Sequence, residues 1–279
     1  MSKLLPQKLR DLLIVSVGGV GVFSGICIYK GNEEFYCNVV MPTMHKVDPE
    51  KSHRLAVLAA KYRLVHLPAQ KNPHLNIRVL GIDLENPVGM AAGFDKDGEA
   101  VLGLHDMGFG FVEVGTVTPL PQPGNNRPRV FRLTADNAII NRYGFNSSGH
   151  DSVLERLTAV KSSNHDVIIG VNLGKNKSSE DAVQDYVLGV EKFKDVADYL
   201  VINVSSPNTP GLRSLQNKDE LRKLLRGVLG KRDMLEKRIP VFLKIAPDLS
   251  IEDKRDIAYT ICEPQNKVDG LIVCNTTVT

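Results

Sequence analysis

Asn203-Val204-Ser205-Ser206-Pro207-Asn208-Thr209 concentrates hydroxyl and amide side chains directly behind the apolar run Tyr199-Leu200-Val201-Ile202. Five other short apolar runs end in the same kind of chemistry. Brought to one face, they would gather Lys96, Lys244, Asn141, Asn172, Asn203, Asn208 and Asn275 with Ser206, Thr209 and Thr276. Each amide offers donors and an acceptor together, which suits a flat heterocycle whose edge alternates C=O and N–H. Lysines beside it would hold negative charge on a ring or a carboxylate. Two ringed ligands side by side would account for so many amides. The set lacks the paired carboxylates of a glycosidase and the His/Asp/Glu cluster of a metal site, although Asp95 and Asp248 lie near strand ends. No Ser/His/Asp arrangement accompanies Ser206, which argues against acyl transfer. Its hydroxyl could take a proton from carbon if its own were relayed away, or could simply cap its turn.

These residues need a scaffold that brings strand ends together. Apolar runs at 86–92, 111–114, 167–171, 200–202, 241–243 and 271–273 read as buried strands. Between them lie segments of helical period, with Val183, Tyr186, Val190 and Phe193 on one stripe and Leu221, Leu224, Leu225 and Val228 on another. Buried strands joined by helices form a parallel sheet, and six such units in succession imply an α/β fold of the (β/α)8 TIM barrel type. An open doubly wound sheet would place its binding residues at one switch point, not at every strand end.

The remaining chain constrains location and partners. A net charge of +3 is too small to suggest nucleic acid, and the four cysteines show no metal or disulfide spacing. Residues 12–29 carry no charge and follow a basic, acid-poor leader. A membrane anchor over 1–30 is favoured over a cleaved signal or a core helix, and the leader fits mitochondrial import. Two short amphipathic helices follow. One spans 33–41, with Phe35, Tyr36, Val39 and Val40 on one stripe and Pro42 as its expected stop. The other opens at Asp48-Pro49-Glu50 and runs to about 65. They could pack on the main domain or lie at the lipid surface and guide an apolar ligand inward.

Several longer stretches carry a specific resemblance. They are Asn86-Pro87-Val88-Gly89-Met90-Ala91-Ala92-Gly93-Phe94-Asp95-Lys96, Arg127-Pro128-Arg129-Val130-Phe131-Arg132 and Asn141-Arg142-Tyr143-Gly144-Phe145-Asn146. Val171-Asn172-Leu173-Gly174-Lys175-Asn176-Lys177, Lys244-Ile245-Ala246-Pro247-Asp248-Leu249 and Asn275-Thr276-Thr277 join them, with the stretch around Ser206. Over about 35–279 the chain resembles the membrane-bound, quinone-reducing class of dihydroorotate dehydrogenases. The resemblance implies FMN at the C-terminal face of the barrel and oxidation of dihydroorotate to orotate in pyrimidine synthesis. In that family a serine takes the C5 proton while hydride leaves C6 for FMN, which assigns the base to Ser206. A cysteine there would have marked the soluble class, whose acceptors are fumarate or NAD.

By the same carry-over, FMN falls to Ala91, Ala92, Gly93, Phe94, Asp95, Thr116, Asn172, Asn203, Lys244 and Cys274. The substrate falls to Lys96, Asn141, Arg142, Tyr143, Gly144, Phe145, Asn203, Asn208, Asn275 and Thr276. His53 and Arg132 align with residues lining a ubiquinone tunnel formed by a helical unit at 31–68, with the barrel over 76–279. His53 alone would pass for a helix-surface residue. The anchor then implies the lipid of the mitochondrial inner membrane. Cys274 stands where the family commonly has Thr, and Thr116 where it often has Ser. Six strands are legible before Thr279, and the last two of the family's barrel, which bind the FMN phosphate, are not. The expectation is therefore a truncated or alternatively spliced form, with a non-catalytic membrane isoform as the alternative.

Overall fold

The computed structural model describes residues 6–65, 72–163 and 166–277, so leader residues 1–5 and the segment 66–68 of the expected helical unit lie outside it. Helix α1, Gln7–Tyr29, is apolar on every side and exposed along nearly its whole length, with only Cys27 buried. At 1.5 Å per residue its 23 residues span roughly 35 Å, enough for a hydrocarbon core of about 30 Å. Asn32 then accepts the Phe35 N–H at 2.8 Å and caps α2, Glu33–Phe35. The two helices touch where Phe35 meets Phe23 edge-on and where the Tyr36 hydroxyl donates to the Ile28 carbonyl.

Pro42 does not stop the helix as the pattern suggested. A π turn over Tyr36–Val40 leads directly into α3, Met41–His45. The wider turn shifts the hydrogen-bond register before the proline, and the Thr43 hydroxyl fills the Val39 carbonyl at 2.6 Å. Helix α4, Pro49–Lys61, starts as expected, with Asp48 accepting the Lys51 N–H at 3.0 Å. It ends at Lys61 and not near Val65, because Arg63 turns into the left-handed region at φ 53°.

A hairpin of β1 (Ile77–Val79) and β2 (Ile82–Leu84) turns on Leu80-Gly81, both at positive φ. The chain then runs through β3 (Gly89–Met90), α5 (Val101–Asp106) and β4 (Phe111–Val117). A second antiparallel hairpin follows, β5 (Val130–Leu133) and β6 (Ala138–Asn141), then α6 (Gly149–Ser162) and β7 (Ile169–Leu173). It closes with α7 (Ala182–Phe193), β8 (Tyr199–Asn203), α8 (Lys218–Asp233), β9 (Val241–Ile245), α9 (Ile251–Cys262) and β10 (Gly270–Val273).

All six expected strands form one parallel sheet in the order β3-β4-β7-β8-β9-β10, which is chain order. Sequential neighbours are spatial neighbours throughout, as in a barrel, and no switch point interrupts them. Glycines and aromatics share the N-terminal ends of the strands. The rings of Phe111, Tyr199 and Phe242 stack edge to face, with centroids 6.2 and 5.3 Å apart. On the neighbouring strands, a β-carbon at Gly89, Gly170 or Gly270 would fall 2.1, 2.1 or 2.6 Å from one of these rings. Rings on β4, β8 and β9 fill the base, and glycines on β3, β7 and β10 leave them room. The helices bury their stripes on the same sheet, with Leu157, Phe193, Leu224, Leu225 and Val228 in one core with Val114, Val171, Leu200 and Ile202.

Candidate active site

Because the strands are parallel, their C-terminal ends deliver side chains to one place. Thr116 ends β4, Asn172 lies on β7, Asn203 on β8 and Lys244 on β9. The loops after β3, β6, β8 and β10 add Ala92, Gly93, Lys96, Tyr143, Gly144, Phe145, Ser206, Asn208, Asn275 and Thr276. With Asn141, Thr116, Asn203 and Lys244, these line a cavity of about 240 Å³.

Beneath the cavity the polar groups form one ladder. Thr116 Oγ1 donates to Asn172 Oδ1 at 2.6 Å, and Asn203 Nδ2 donates to both Thr116 Oγ1 and Asn172 Oδ1, at 2.9 and 3.0 Å. Asn203 Oδ1 accepts from the Ser205 N–H and hydroxyl at 3.1 and 2.7 Å, and Asn275 Nδ2 donates to Ser205 Oγ at 2.9 Å. Lys244 is buried, and no hydrogen bond or ion pair meets its ammonium among the described residues. Gly93 has φ 111°, and nothing lies within 4 Å of where a β-carbon would stand, so the cavity runs up to bare backbone there.

Ser206 is buried, faces the cavity, and accepts the Asn208 N–H at 3.2 Å. Turn cap and reactive position therefore coincide in one hydroxyl. Phe145 takes a left-handed backbone at φ 54°, and its ring packs over Gly174, where a β-carbon would come within 2.8 Å of it. Lys96 sits with Nζ 4.5 Å from the centre of the Tyr143 ring. Burial pushes its ammonium down to about 8, with Asp97 resisting and Arg129 adding to the fall.

Not every residue assigned to the site lines this cavity. Asn172 is buried behind the lining, Ala91 is exposed outside it, and Cys274 is exposed, its thiol donating to the Asn275 carbonyl. Arg142 turns away, donating to the Pro128 carbonyl and lying over the Phe131 ring. Phe94 and Asp95 border a second cavity instead, and the buried Asp95 carboxylate accepts the Glu99 and Ala100 N–H groups at 2.9 and 2.8 Å. Burial raises its pKa against those two bonds.

The second cavity, of about 790 Å³, lies between α4 and the barrel mouth. His53 lines it, with Nε2 2.7 Å from the Phe94 carbonyl oxygen and Nδ1 3.3 Å from the Tyr143 hydroxyl. Burial lowers the His53 pKa, partly offset by the Phe94 carbonyl. Glu50 pairs with Arg129 at 2.7 Å and Arg127 at 2.9 Å, and the Arg129 hydrogen bond holds its carboxyl below the usual range. Arg132 does not line the cavity. Its guanidinium donates to the Val47 and His45 carbonyls at 2.6 and 3.2 Å, tying β5 to the link between α3 and α4.

Glu113 escapes a sequence reading. It sits on β4 inside Phe-Val-Glu-Val-Gly, is buried, and receives Asn172 Nδ2 at 2.8 Å and the Tyr199 hydroxyl at 3.5 Å. Its only signal was one carboxylate in an otherwise apolar strand.

The fold and cavity define an α/β protein of the barrel type, with an amide-lined cavity at its strand ends. Residues 74–279 match the family model described as dihydroorotate dehydrogenase, and the chain belongs to that family. It is 51% identical to the Mus musculus protein named dihydroorotate dehydrogenase (quinone), mitochondrial, over 98% of this chain and 71% of that protein. It is 49% identical to a Brucella anthropi protein named dihydroorotate dehydrogenase (quinone), over 83% of this chain and 64% of that one. A crystal structure of ligand-free DHODH from Eimeria tenella superposes with a TM-score of 0.79 at 45% identity, covering 83% of this chain and 70% of the other.

Proposed function

We propose that this chain is a flavoprotein oxidoreductase that converts dihydroorotate to orotate with ubiquinone as acceptor, in pyrimidine biosynthesis. The observation that carries the reading is the convergence of Lys96, Asn141, Asn203, Ser206, Asn208 and Asn275 on one cavity from four separate strand ends and the loops that follow them. FMN suits the donor set: bare backbone at Gly93, the unpaired buried ammonium of Lys244, and the hydroxyl and amides of Thr116, Asn172 and Asn203. Bound there, FMN supplies a two-electron acceptor.

The chain's own groups do the rest. Lys96 offers its ammonium to a substrate carboxylate, and the amides of Asn141, Asn208 and Asn275 read the alternating ring edge. Ser206 Oγ takes the C5 proton as its own hydroxyl proton passes to solvent water, and the amide-rich turn around it orients the hydroxyl. Lys244 opposes negative charge that develops on the neighbouring ring. The larger cavity beside α4, with His53 and Tyr143 on its wall, receives the quinone head group. In this reading α1 anchors the chain in the mitochondrial inner membrane, and the helices after it open the cavity to lipid.

The test is reduction of a ubiquinone analogue by dihydroorotate, compared with fumarate and NAD under the same conditions. Activity with the quinone alone supports the reading. Activity with only fumarate or NAD, or none with FMN supplied, rejects it.

A further inference from the structure

We infer that Arg213 is a positioning residue that braces the Ser206 turn beside the ligand cavity, with Asp248 holding the brace in place. Ser206, Pro207 and Asn208 line the cavity, while Pro207, Pro210 and Gly211 are exposed, so the turn stands partly clear of the core. On its inner side, Asn203 Oδ1 takes the Ser205 N–H and hydroxyl, and Asn275 Nδ2 donates to the Ser205 oxygen. On its outer side, Arg213 Nε donates to the Ser205 carbonyl at 3.1 Å, and no other donor meets that carbonyl among the described residues. A peptide unit is planar, so holding this carbonyl sets the direction in which Ser206 Cα leaves it. The Asn208 N–H bond then orients the Ser206 hydroxyl at 3.2 Å. Farther along the turn the contacts are longer, with Asn208 meeting Asn125 at 3.3 Å and the Asn141 carbonyl at 3.4 Å.

Arg213 is better anchored than the turn it braces. Leu212 and Leu215 beside it are buried in the core, and the buried Gln216 accepts the Ala246 N–H at 3.0 Å just beyond β9. The guanidinium also donates through Nη2 to Asp248 Oδ2 at 3.1 Å, and the two side chains are only 27% and 12% exposed. Thr277 Oγ1 donates to the other Asp248 oxygen at 2.5 Å. One fork thus joins the turn after β8, the loop after β9 and the segment after β10 that carries Asn275 and Thr276. Arg213 does not line the cavity and acts through Ser205. The catalytic side of this inference rests on the reading of Ser206 as base given above; the brace itself does not.

Arg213→Lys separates a brace for the turn from a support for the fold. Lysine keeps a charge beside Asp248, but a single ammonium cannot hold carbonyl and carboxylate in one fixed fork. In ligand-free protein, amide exchange in residues 204–209 should rise about tenfold, the worth of one hydrogen bond to a charged group, with α8 exchange and thermal stability unchanged. In FMN-supplied protein, flavin reduction by dihydroorotate should slow about tenfold, while reoxidation by a ubiquinone analogue keeps the parent rate. A support for the fold would move both half-reactions or neither. Asp248→Asn should slow reduction about threefold alone and add nothing to Arg213→Met, because it acts through the guanidinium. Parent-like exchange in 204–209, parent-like flavin reduction, stability lost together with the rate, or additive losses in the double variant each overturn the inference. A parent whose flavin does not bleach with dihydroorotate rejects the dehydrogenase reading, and amide exchange then decides the brace alone.

Discussion

Lys96 and Tyr143 stand together on the wall between the two cavities, the ammonium 4.5 Å from the ring centre, and both residues line both spaces. His53 also meets the Tyr143 hydroxyl at 3.3 Å, and the Arg129 guanidinium lies 5.1 Å from the ring centre. The smaller cavity and the larger chamber therefore share lining at Lys96 and Tyr143.

Lys96 should give substrate binding a pH dependence. With its ammonium pushed down to about 8 by burial, Lys96 is charged at pH 7 and largely neutral at pH 9. Orotate affinity should fall about tenfold across that interval as the charge is lost. Lys96→Arg should flatten the profile, because arginine stays protonated. Isothermal titration at several pH values checks both.

Gly93→Ala should weaken FMN binding sharply, since the new methyl group enters open space at the cavity wall. Residues with a β-carbon avoid φ near 111°, so folding should also lose about 1–3 kcal/mol. Flavin fluorescence and thermal unfolding separate the two effects.

The Glu50–Arg129 pair should show in acid stability. The bond to Arg129 lowers the folded Glu50 pKa, so its contribution is full above the ordinary carboxylate value and is lost as pH falls through the lowered one. Glu50→Gln leaves the buried Arg129 guanidinium without its carboxylate, and should cost about 2 kcal/mol at neutral pH and progressively less in acid. Thermal unfolding from pH 3 to 7 reads this directly.

Arg132→Ala should loosen the link between α3 and α4 without touching the substrate pocket. Hydrogen exchange should rise in residues 41–50. The quinone KM should increase by about threefold to tenfold, the range of one or two lost hydrogen bonds, with the dihydroorotate KM unchanged.

The six parallel strands were legible because each apolar run released polar residues at the same end, and the Asp48-Pro49-Glu50 cap was legible because its chemistry is local. What escaped depends on partners distant in sequence. Glu113 read as a blemish in an apolar strand until Asn172, 59 residues away, supplied its meaning. The β5–β6 hairpin, which delivers Asn141, was missed although Asn137 at its turn takes φ 49°. Pro42 misled because a π turn one residue earlier absorbs it. Arg142 and Asp95 lie within well-matched stretches, yet one faces outward and the other is spent on the backbone that leads into α5. Adjacency in a motif does not tell which side of the chain a residue serves.

The most direct test of the account follows flavin absorbance anaerobically in FMN-supplied protein. Dihydroorotate should bleach the flavin band in the parent, and a ubiquinone analogue should restore it, whereas Ser206→Ala should bind orotate normally yet bleach at least a hundredfold more slowly, within the usual span of general-base effects of about 10²–10⁴. Bleaching at the parent rate in Ser206→Ala, or no bleaching in a parent that binds both FMN and orotate, would contradict it.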